Sequence, residues 1–413
     1  MPHWQARAYL AASRLVPLAA PALLRRRLAR GKEDPGRWRE RLGIAGLPRP
    51  EGPLVWLHAV GLGEVLALRG LIAAMAGLRP DLEFLITSIA RSSAGVLAGQ
   101  MPARTRHQFL PLDAPRYLAR FLGHWRPALS IWAEQDLWPG AVLAADRAGV
   151  PLALVNARMN DAALARRWRA RGLYGDLLAR FRLVAAQDAG TARNLARLGA
   201  QAVRVAAPLK AAAPPLKADE SELATLRARL AGRRPWLLAP SHPQDEDAAL
   251  AAHGALVARD PARLLIIAPR DPPRGPGVVH LAAGRGLRAT LRSRGEGPGG
   301  AVWVADTFGE MGLWLRLCPA VLVGGSFGPV EGHNPWEAAA LGAAILHGPR
   351  VANFAADYAL LDSAGAALAV SAETLAEALS ADHAAMVARA GALAEAAREG
   401  LSPLARDLVA LIR

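Results

Sequence analysis

Residues 56–65 read WLHAVGLGEV. Trp56, Leu57, Ala59 and Val60 look like the end of a buried strand. Gly61 and Gly63 then read as a tight turn, with Glu64 at what should be the start of a helix. A carboxylate suits that place because the first turn of a helix offers unpaired N–H groups and the positive end of its dipole. The same place, at a strand end beside glycines that leave the backbone bare, also suits a general base facing a substrate. The stretch by itself leaves both readings open.

On either side the chain alternates apolar runs with helical patterns. LVWLHAV, LEFLITS, ALSIWAE, PLALVNAR, FRLVAAQ and VRVAA are separated by stretches such as APRYLARFLGHW and LWPGAVLAADRAG. Such alternation predicts a parallel sheet covered by helices on both faces. KAAAPPLKADESE, residues 210–222, breaks the rhythm with two prolines and reads as a linker. A second series follows: PWLLAPS, RLLIIAPR, AVWVAD, AVLVGGS and AAILHGP. The Gly- and Pro-rich segment from RDPPRGPGVV to RSRGEGPGG is expected to make surface loops. The fold class is therefore α/β, with two Rossmann-like α/β/α domains facing each other across a cleft. The expected divisions are an N-terminal segment over 1–32, a domain over 33–209, a linker over 210–222 and a domain over 223–413. In open sheets of this kind ligands bind outside the carboxyl ends of the strands.

With 52% hydrophobic residues in 413, the chain can bury a large core. The single cysteine, Cys318, rules out a disulfide framework. The ten histidines show no His-x-x-x-His pair and there is no Cys-x-x-Cys, so no metal is expected. Of the net charge of +15, a large share sits in residues 1–50, where 11 Lys and Arg face 3 Asp and Glu. These flank the apolar stretch Tyr9 to Leu24 and continue as RRRLARGK, Arg25 to Lys32. Arg14, Pro17 and Pro21 interrupt the stretch, which falls short of the roughly 20 clean apolar residues of a spanning helix. No small-residue cleavage site follows, so no secretory signal is expected. An apolar segment with a basic flank suits an anionic membrane surface on its cytoplasmic side. An ordinary surface helix followed by an arginine-rich turn is the other reading. No basic run interleaved with aromatics is present, so nucleic acid is not an expected partner.

Three further stretches could carry chemistry. In LIIAPRDP, Arg270 directly follows a buried strand, where it could grip a phosphate or form a surface ion pair. VADTFGEMG, residues 304–312, follows another strand. VGGSFGPVEGHNPWEAAALG, residues 323–342, reads as a strand, a glycine-rich loop and a helix opening near Asn334 or Pro335. Glu337 falls in that helix's first turn. A glycine-rich loop feeding a helix start can hold an anion, and Arg270 on a neighbouring strand would aim at the same group. Neither a Walker A motif nor G-x-G-x-x-G after a strand is present, which argues against NTPases and dehydrogenases.

Together these stretches resemble the 3-deoxy-D-manno-octulosonic acid (Kdo) transferases of lipopolysaccharide synthesis, which have the GT-B glycosyltransferase fold. WLHAVGLGEV is similar to the family's W-x-H-A-V-S-x-G-E element, and LPLDAPRYLARFLGHWRPALSIWAEQDLWPG to its P-L-D … R-P … E-x-x-L-W-P block. LVNARM, AQDAGTARNLARLGA, IIAPRDP, DTFGEMG and GGSFGPVEGHNPWEAAALGAAILHGPRVANF follow in the family's order. The resemblance implies an inverting transfer of Kdo from CMP-Kdo to a lipid A precursor, lipid IV-A, on the cytoplasmic side of the inner membrane, without a cofactor. It puts Glu64 in the position of the catalytic base. It puts Pro269, Arg270, Phe308, Gly309, Glu310, Asn334, Pro335, Trp336 and Glu337 in positions that bind the CMP part of the donor. Lys210, retained in VAAPLK, is counted with that donor set. Trp336 could equally be core. The basic segment Asn156 to Gly172 could clamp an anionic acceptor or be a solvated helix. The chain departs from the family at Gly61, where serine is usual, in TSIARSSAG with its Arg91, in APSHPQDED and in VAAPLK. Two other readings share the pattern: a sugar-nucleotide epimerase of the same fold, and a non-enzymatic basic protein that binds membrane or nucleic acid.

Overall fold

In the computed structural model, which describes residues 3–89, 101–134, 136–206 and 208–412, the apolar runs form two parallel sheets. The first contains β1 (Leu54–His58), β2 (Glu83–Ser88), β3 (Thr105–Phe109), β4 (Leu129–Ala133), β5 (Leu152–Ala157), β6 (Phe181–Ala186) and β7 (Val203–Val205), in the order β3-β2-β1-β4-β5-β6-β7. β1, β2, β4 and β5 are buried along their whole length, as strands covered by helices on both faces must be. Trp56, Phe121, Trp125 and Trp132 fill the core beneath them. The Trp56 indole N–H donates to Thr87 Oγ1 at 2.8 Å, so the largest buried ring leaves no polar atom unpaired. The chain runs from β1 to β2 on one side, while β4 lies on the other. The sheet therefore has its switch point between β1 and β4. The loop after β2 that holds Arg91 lies outside the described residues.

The second sheet contains β8 (Arg234–Ser241), β9 (Arg263–Pro269), β10 (Ala289–Leu291), β11 (Val302–Val304), β12 (Ala320–Val323), β13 (Ala344–His347) and β14 (Leu368–Ala369). Their order, β10-β11-β9-β8-β12-β13-β14, puts its switch point between β8 and β12. The segment expected to be loops instead supplies a helix, Gly275–Ala283, and the strand β10. Val278 and Ala282 bury the helix, and Gly275 lets it approach Asp306, whose Cβ would lie 2.7 Å from a side chain there.

The units divide differently from the sequence reading. The first comprises Met1–Ala213 with Ala397–Arg413, and the second Pro214–Ala396. Residues 210–213, read as the start of the linker, belong to the first unit, where Ala211 and Ala212 are buried. At the other end of the expected linker the helix Glu220–Arg229 has already begun, capped by Asp219, which accepts from the N–H groups of Ser221 and Glu222. The helix Leu401–Ala410 buries Leu401, Leu404, Ala405 and Leu408, and packs on the helix Leu62–Leu78 of the first unit rather than in the second. Gly70 marks the contact. A Cβ there would meet Ala212 O at 2.6 Å and Leu401 Cδ1 at 3.1 Å.

The N-terminal segment forms two helices, Trp4–Ser13 and Val16–Ala29. The first is fastened to the sheet unit. Tyr9 OH donates to Asp113 Oδ2 at 2.6 Å, and the same carboxylate accepts from the N–H groups of Gly140 and Ala141 at 2.8 Å each. Ala20 and Leu24 anchor the second helix, while Trp4, Leu15, Leu18 and Leu23 are exposed, Leu18 at 81%. Among the described residues no helix is long and apolar enough to cross a membrane.

Helix propensity alone says Gly70→Ala should stabilise by about 1 kcal/mol. The backbone oxygen at 2.6 Å decides otherwise. Gly70→Ala should destabilise by about 1–3 kcal/mol, the usual cost of overpacking, as measured by urea unfolding. A stabilised variant would show that the C-terminal helix and residue 212 do not pack there.

Candidate active site

In the first unit β1 ends at His58 and the helix Leu62–Leu78 begins four residues later. Gly61 is its N-cap with an ordinary extended φ of −104°, so no left-handed turn demands the glycine. A Cβ at Gly61 would meet only Glu64 Oε1, at 4.0 Å. The missing side chain thus leaves the carboxylate uncovered, and a serine would fit in its place. Glu64 Oε2 accepts from the Val60 N–H at 2.8 Å, so the residue does close the start of its helix. Burial raises its pKa above the usual carboxylate range, and the charge of Glu134 raises it further. The N–H groups of Val60 and Gly61, and the Lys210 ammonium, oppose the rise.

Glu134 follows β4, on the far side of the switch point. Its Oε1 is 3.2 Å from Lys210 Nζ and 3.4 Å from Asn156 Nδ2. Glu134 and Asn156 both hold left-handed backbone, with φ of 62° and 52°. Such conformations are costly for non-glycine residues and gather at functional sites. Asn156 Oδ1 accepts from the Leu209 N–H at 3.2 Å, which brings the chain to the place where Lys210 meets Glu134. Lys210, counted with the donor set in the sequence reading, is therefore placed in the unit of Glu64, beside a carboxylate that neutralises it. Arg158 and Arg167 of the basic segment line a narrow pocket with Glu134, Leu137 and Tyr174.

In the second unit Pro269 ends β9 and Arg270 follows it, exposed to solvent. A pocket of about 150 Å³ is lined by Pro269, Arg270, Phe308, Gly309 and Glu310, so five of the expected donor residues meet there. Phe308 is 77% exposed on its wall, and Gly309 takes a φ of 88° that favours glycine. Glu310 is not free to bind a ligand: Arg292 pairs with it at 2.6 Å and the Thr307 hydroxyl donates to it. Burial acts to raise the Glu310 carboxyl, but these two donors hold it below the usual range.

Asn334, Pro335, Trp336 and Glu337 occupy the start of a short helix, Trp336–Leu341, with Pro335 as N-cap and Asn334 Oδ1 accepting the Trp336 N–H at 3.2 Å. Burial raises the Glu337 carboxyl, and a hydrogen bond from Asn334 opposes this. The Trp336 ring is core: it is 2% exposed and its indole N–H donates to Asp357 Oδ1 at 2.7 Å. Its side chain is committed away from a ligand. The glycine-rich loop before this helix is held by Asp245, fully buried in the first turn of the helix Pro243–Arg259. Asp245 accepts from the N–H groups of Gly325 at 2.6 Å, Phe327 at 3.0 Å and His242 at 3.0 Å. Sequence reasoning assigned no role to Glu134 or Asp245. Glu134 carried a usable signal, a carboxylate directly after an apolar strand. Asp245 carried none for its hold on the glycine-rich loop, because those two partners are backbone groups 80 and 82 residues away. Among the described residues no group of three or more His, Cys, Asp or Glu is arranged to hold a metal ion.

Two parallel sheets of seven strands, each with its polar residues at the carboxyl edge, define the GT-B fold of glycosyltransferases. A glycosyltransferase from Rickettsia africae superimposes with a TM-score of 0.55 over 88% of this chain and 98% of its own, at 12% identity. The family model for 3-deoxy-D-manno-octulosonic-acid transferase (kdotransferase) matches residues 36–213. The protein of Arabidopsis thaliana named probable 3-deoxy-D-manno-octulosonic acid transferase, mitochondrial, is 34% identical over 80% of this chain and 76% of its own length. The 3-deoxy-D-manno-octulosonic acid transferase of Bordetella pertussis is 34% identical over 82% of each chain. The chain belongs to this family of Kdo transferases. Membership favours neither the epimerase nor the non-enzymatic reading.

Glu134 raises the Glu64 pKa, and Lys210 lowers it. Glu134→Gln removes the first influence and releases the ammonium of Lys210 to strengthen the second. With Glu64 as the group that must lose a proton, the expected outcome is an acid limb of kcat/KM for Kdo transfer moved to lower pH. A midpoint that stays put or rises would show that Glu134 does not act on Glu64.

Proposed function

We propose that this chain transfers Kdo from CMP-Kdo to a lipid A precursor, lipid IV-A, inverting the anomeric centre. The observation that carries this reading is Glu64, a partly buried carboxylate with a raised pKa at the switch edge of the first sheet. Glu64 takes the proton of the acceptor hydroxyl as that oxygen attacks the anomeric carbon from the side opposite the departing CMP. The transition state is oxocarbenium-like, as in other glycosyl transfers. CMP leaves with its charge on the phosphate. Arg270 and the backbone N–H groups that open the helix at Trp336 meet that growing charge without a metal. Glu337 bonds the ribose hydroxyls. The acceptor belongs to the first unit, where Arg158 and Arg167 beside Glu134 suit the anionic groups of a lipid A precursor.

The same reading places the protein on the cytoplasmic face of the inner membrane, lying on it rather than crossing it. Exposed Trp4, Leu15, Leu18 and Leu23 supply an apolar contact, and Arg14, Arg25, Arg26, Arg30 and Lys32 lie exposed close by in sequence. Each basic residue near an anionic surface contributes about 1 kcal/mol, which salt weakens.

Glu64→Gln keeps the shape and removes the base. Transfer should fall by about 10²–10⁴-fold while CMP binding survives. Arg270→Ala should weaken CMP binding by about 10–100-fold, the loss of one charge-assisted contact. Near-normal transfer by the first variant, or unchanged CMP affinity in calorimetry of the second, would overturn that assignment. Deleting residues 1–32 should release the protein from anionic vesicles and slow transfer to acceptor held in a bilayer, with CMP binding intact. A deleted form that still sediments with vesicles at physiological salt would place the anchor elsewhere.

A further inference from the structure

His242 and His333 approach each other from the two strands that flank the switch point of the second sheet. His242 directly follows β8, and His333 lies on the loop after β12. Their rings are parallel to within 7°, with centroids 5.1 Å apart, and their Nε2 atoms face each other at 2.9 Å. Nitrogens at that distance share one proton, with one ring donating and the other accepting. The backbone that carries each ring is fastened. His242 closes a capping box with Asp245. On the other side, Tyr358 OH donates to the His333 carbonyl at 3.0 Å. A Cβ on Gly325 would sit 3.1 Å from His333 Cδ2, so a side chain there would crowd the ring.

The charges that face the pair are Asp245 and Glu246 from the helix Pro243–Arg259, Arg270 from the end of β9, and Arg274 beyond it. Asp245 is occupied by three N–H groups. Glu246 is occupied by Arg274 at 2.6 Å and by the Ser241 hydroxyl at 2.9 Å. Arg270 has no side-chain hydrogen bond or ion pair among the described residues. A guanidinium with nothing to bind, beside two half-buried imidazoles, is a receptor for an anion. The sugar that names the family is an acid, so its CMP derivative carries a carboxylate in addition to the phosphate.

We propose that His242 and His333 bind the carboxylate of the sugar acid on the donor: the carboxylate takes the place of the contact between the two Nε2 atoms, each ring turns its Nε2–H to a carboxylate oxygen, and the pair takes up one proton from solvent to do so. This rests on the reading of the protein as a user of CMP-Kdo. Burial lowers the pKa of both unliganded histidines; His242 and Arg270 lower His333 further, to about 4, while for His242 the carboxylates of Asp245 and Glu246 oppose the lowering by burial, Arg270 and Arg274. The bound state therefore holds one more proton than the free state. Donor affinity must fall as pH rises, by up to about tenfold per pH unit between the free and bound pKa values.

The test uses the full chain with two probes, CMP and CMP-Kdo. His242→Phe and His333→Phe keep a ring and remove the donor. Each should raise KM for CMP-Kdo by about 10–100-fold, the loss of one charge-assisted hydrogen bond, and leave CMP affinity unchanged. The unaltered protein should bind CMP-Kdo more weakly as pH rises above about 4, the value of the free His333, a dependence that His333→Phe abolishes. An unchanged KM in both variants would overturn the proposal. So would equal losses for CMP and CMP-Kdo, which would make the pair a phosphate site or a support of the fold, and so would pH-independent donor affinity in the unaltered protein. Failure of the unaltered protein to bind CMP at all would remove the donor reading itself, whereas CMP binding without discrimination between the probes would remove only the carboxylate site.

Discussion

In a parallel sheet every strand ends at the same edge, and each return helix crosses a face rather than that edge. Where the chain leaves its central strand in two directions, the loops at that edge part and open a crevice. Both sheets of this protein obey that constraint. In the first, the loops that part follow β1 and β4 and carry Glu64 and Glu134. In the second, they follow β8 and β12 and carry His242 and the glycine-rich loop. The chemistry-bearing residues are scattered along the sequence because topology, not proximity in the chain, gathers them.

The carboxylates at these edges differ in how fully they are used. Asp245 accepts three backbone N–H groups and Asp113 two N–H groups and a phenol. Glu310 is taken by Arg292 and Thr307. These acids work as brackets that fasten loops and helix starts, and their satisfied lone pairs leave little to offer a substrate. Glu64 has a close N–H partner on one oxygen, while the other faces the bare side of Gly61. A group left under-satisfied at a crevice is where proton chemistry is least costly to perform.

Much of the fold could be read from the sequence because fully buried strands are nearly continuous apolar runs, and eleven of the fourteen strands coincide with such a run. The three others share a physical cause. β10 and β14 are two or three residues long at sheet edges. β3 is also an edge strand, whose Thr105, Arg106, His107 and Gln108 hide its character; His107 meets Ser88, and Gln108 Oε1 accepts from the Trp125 indole while its Nε2 has no partner among the described residues. Arg270 was legible because it follows a strand directly, and Glu64 because it opens the helix after a strand and a glycine turn. Trp336 was not, because the same residue type serves core and ligand equally well and only its bond to Asp357 separates the two. Lys210 reads as the start of a linker because a proline-rich stretch follows it, whereas burial of Leu209 and Ala211 on either side binds it to the first unit.

The chain leaves the first unit at residue 213 and returns to it at 397. During synthesis the helix that bears Glu64 emerges early, yet the helix Leu401–Ala410 that covers its opposite face comes last. At about 5–20 residues per second, the ribosome needs roughly 10–40 s to make the intervening unit. For that interval the nascent first unit exposes the apolar face around Gly70, and the second unit can complete its own sheet before the first is closed. A nascent chain of this topology therefore depends on whatever shields that face, and a premature stop near the end of the message would damage the half of the protein that was translated first.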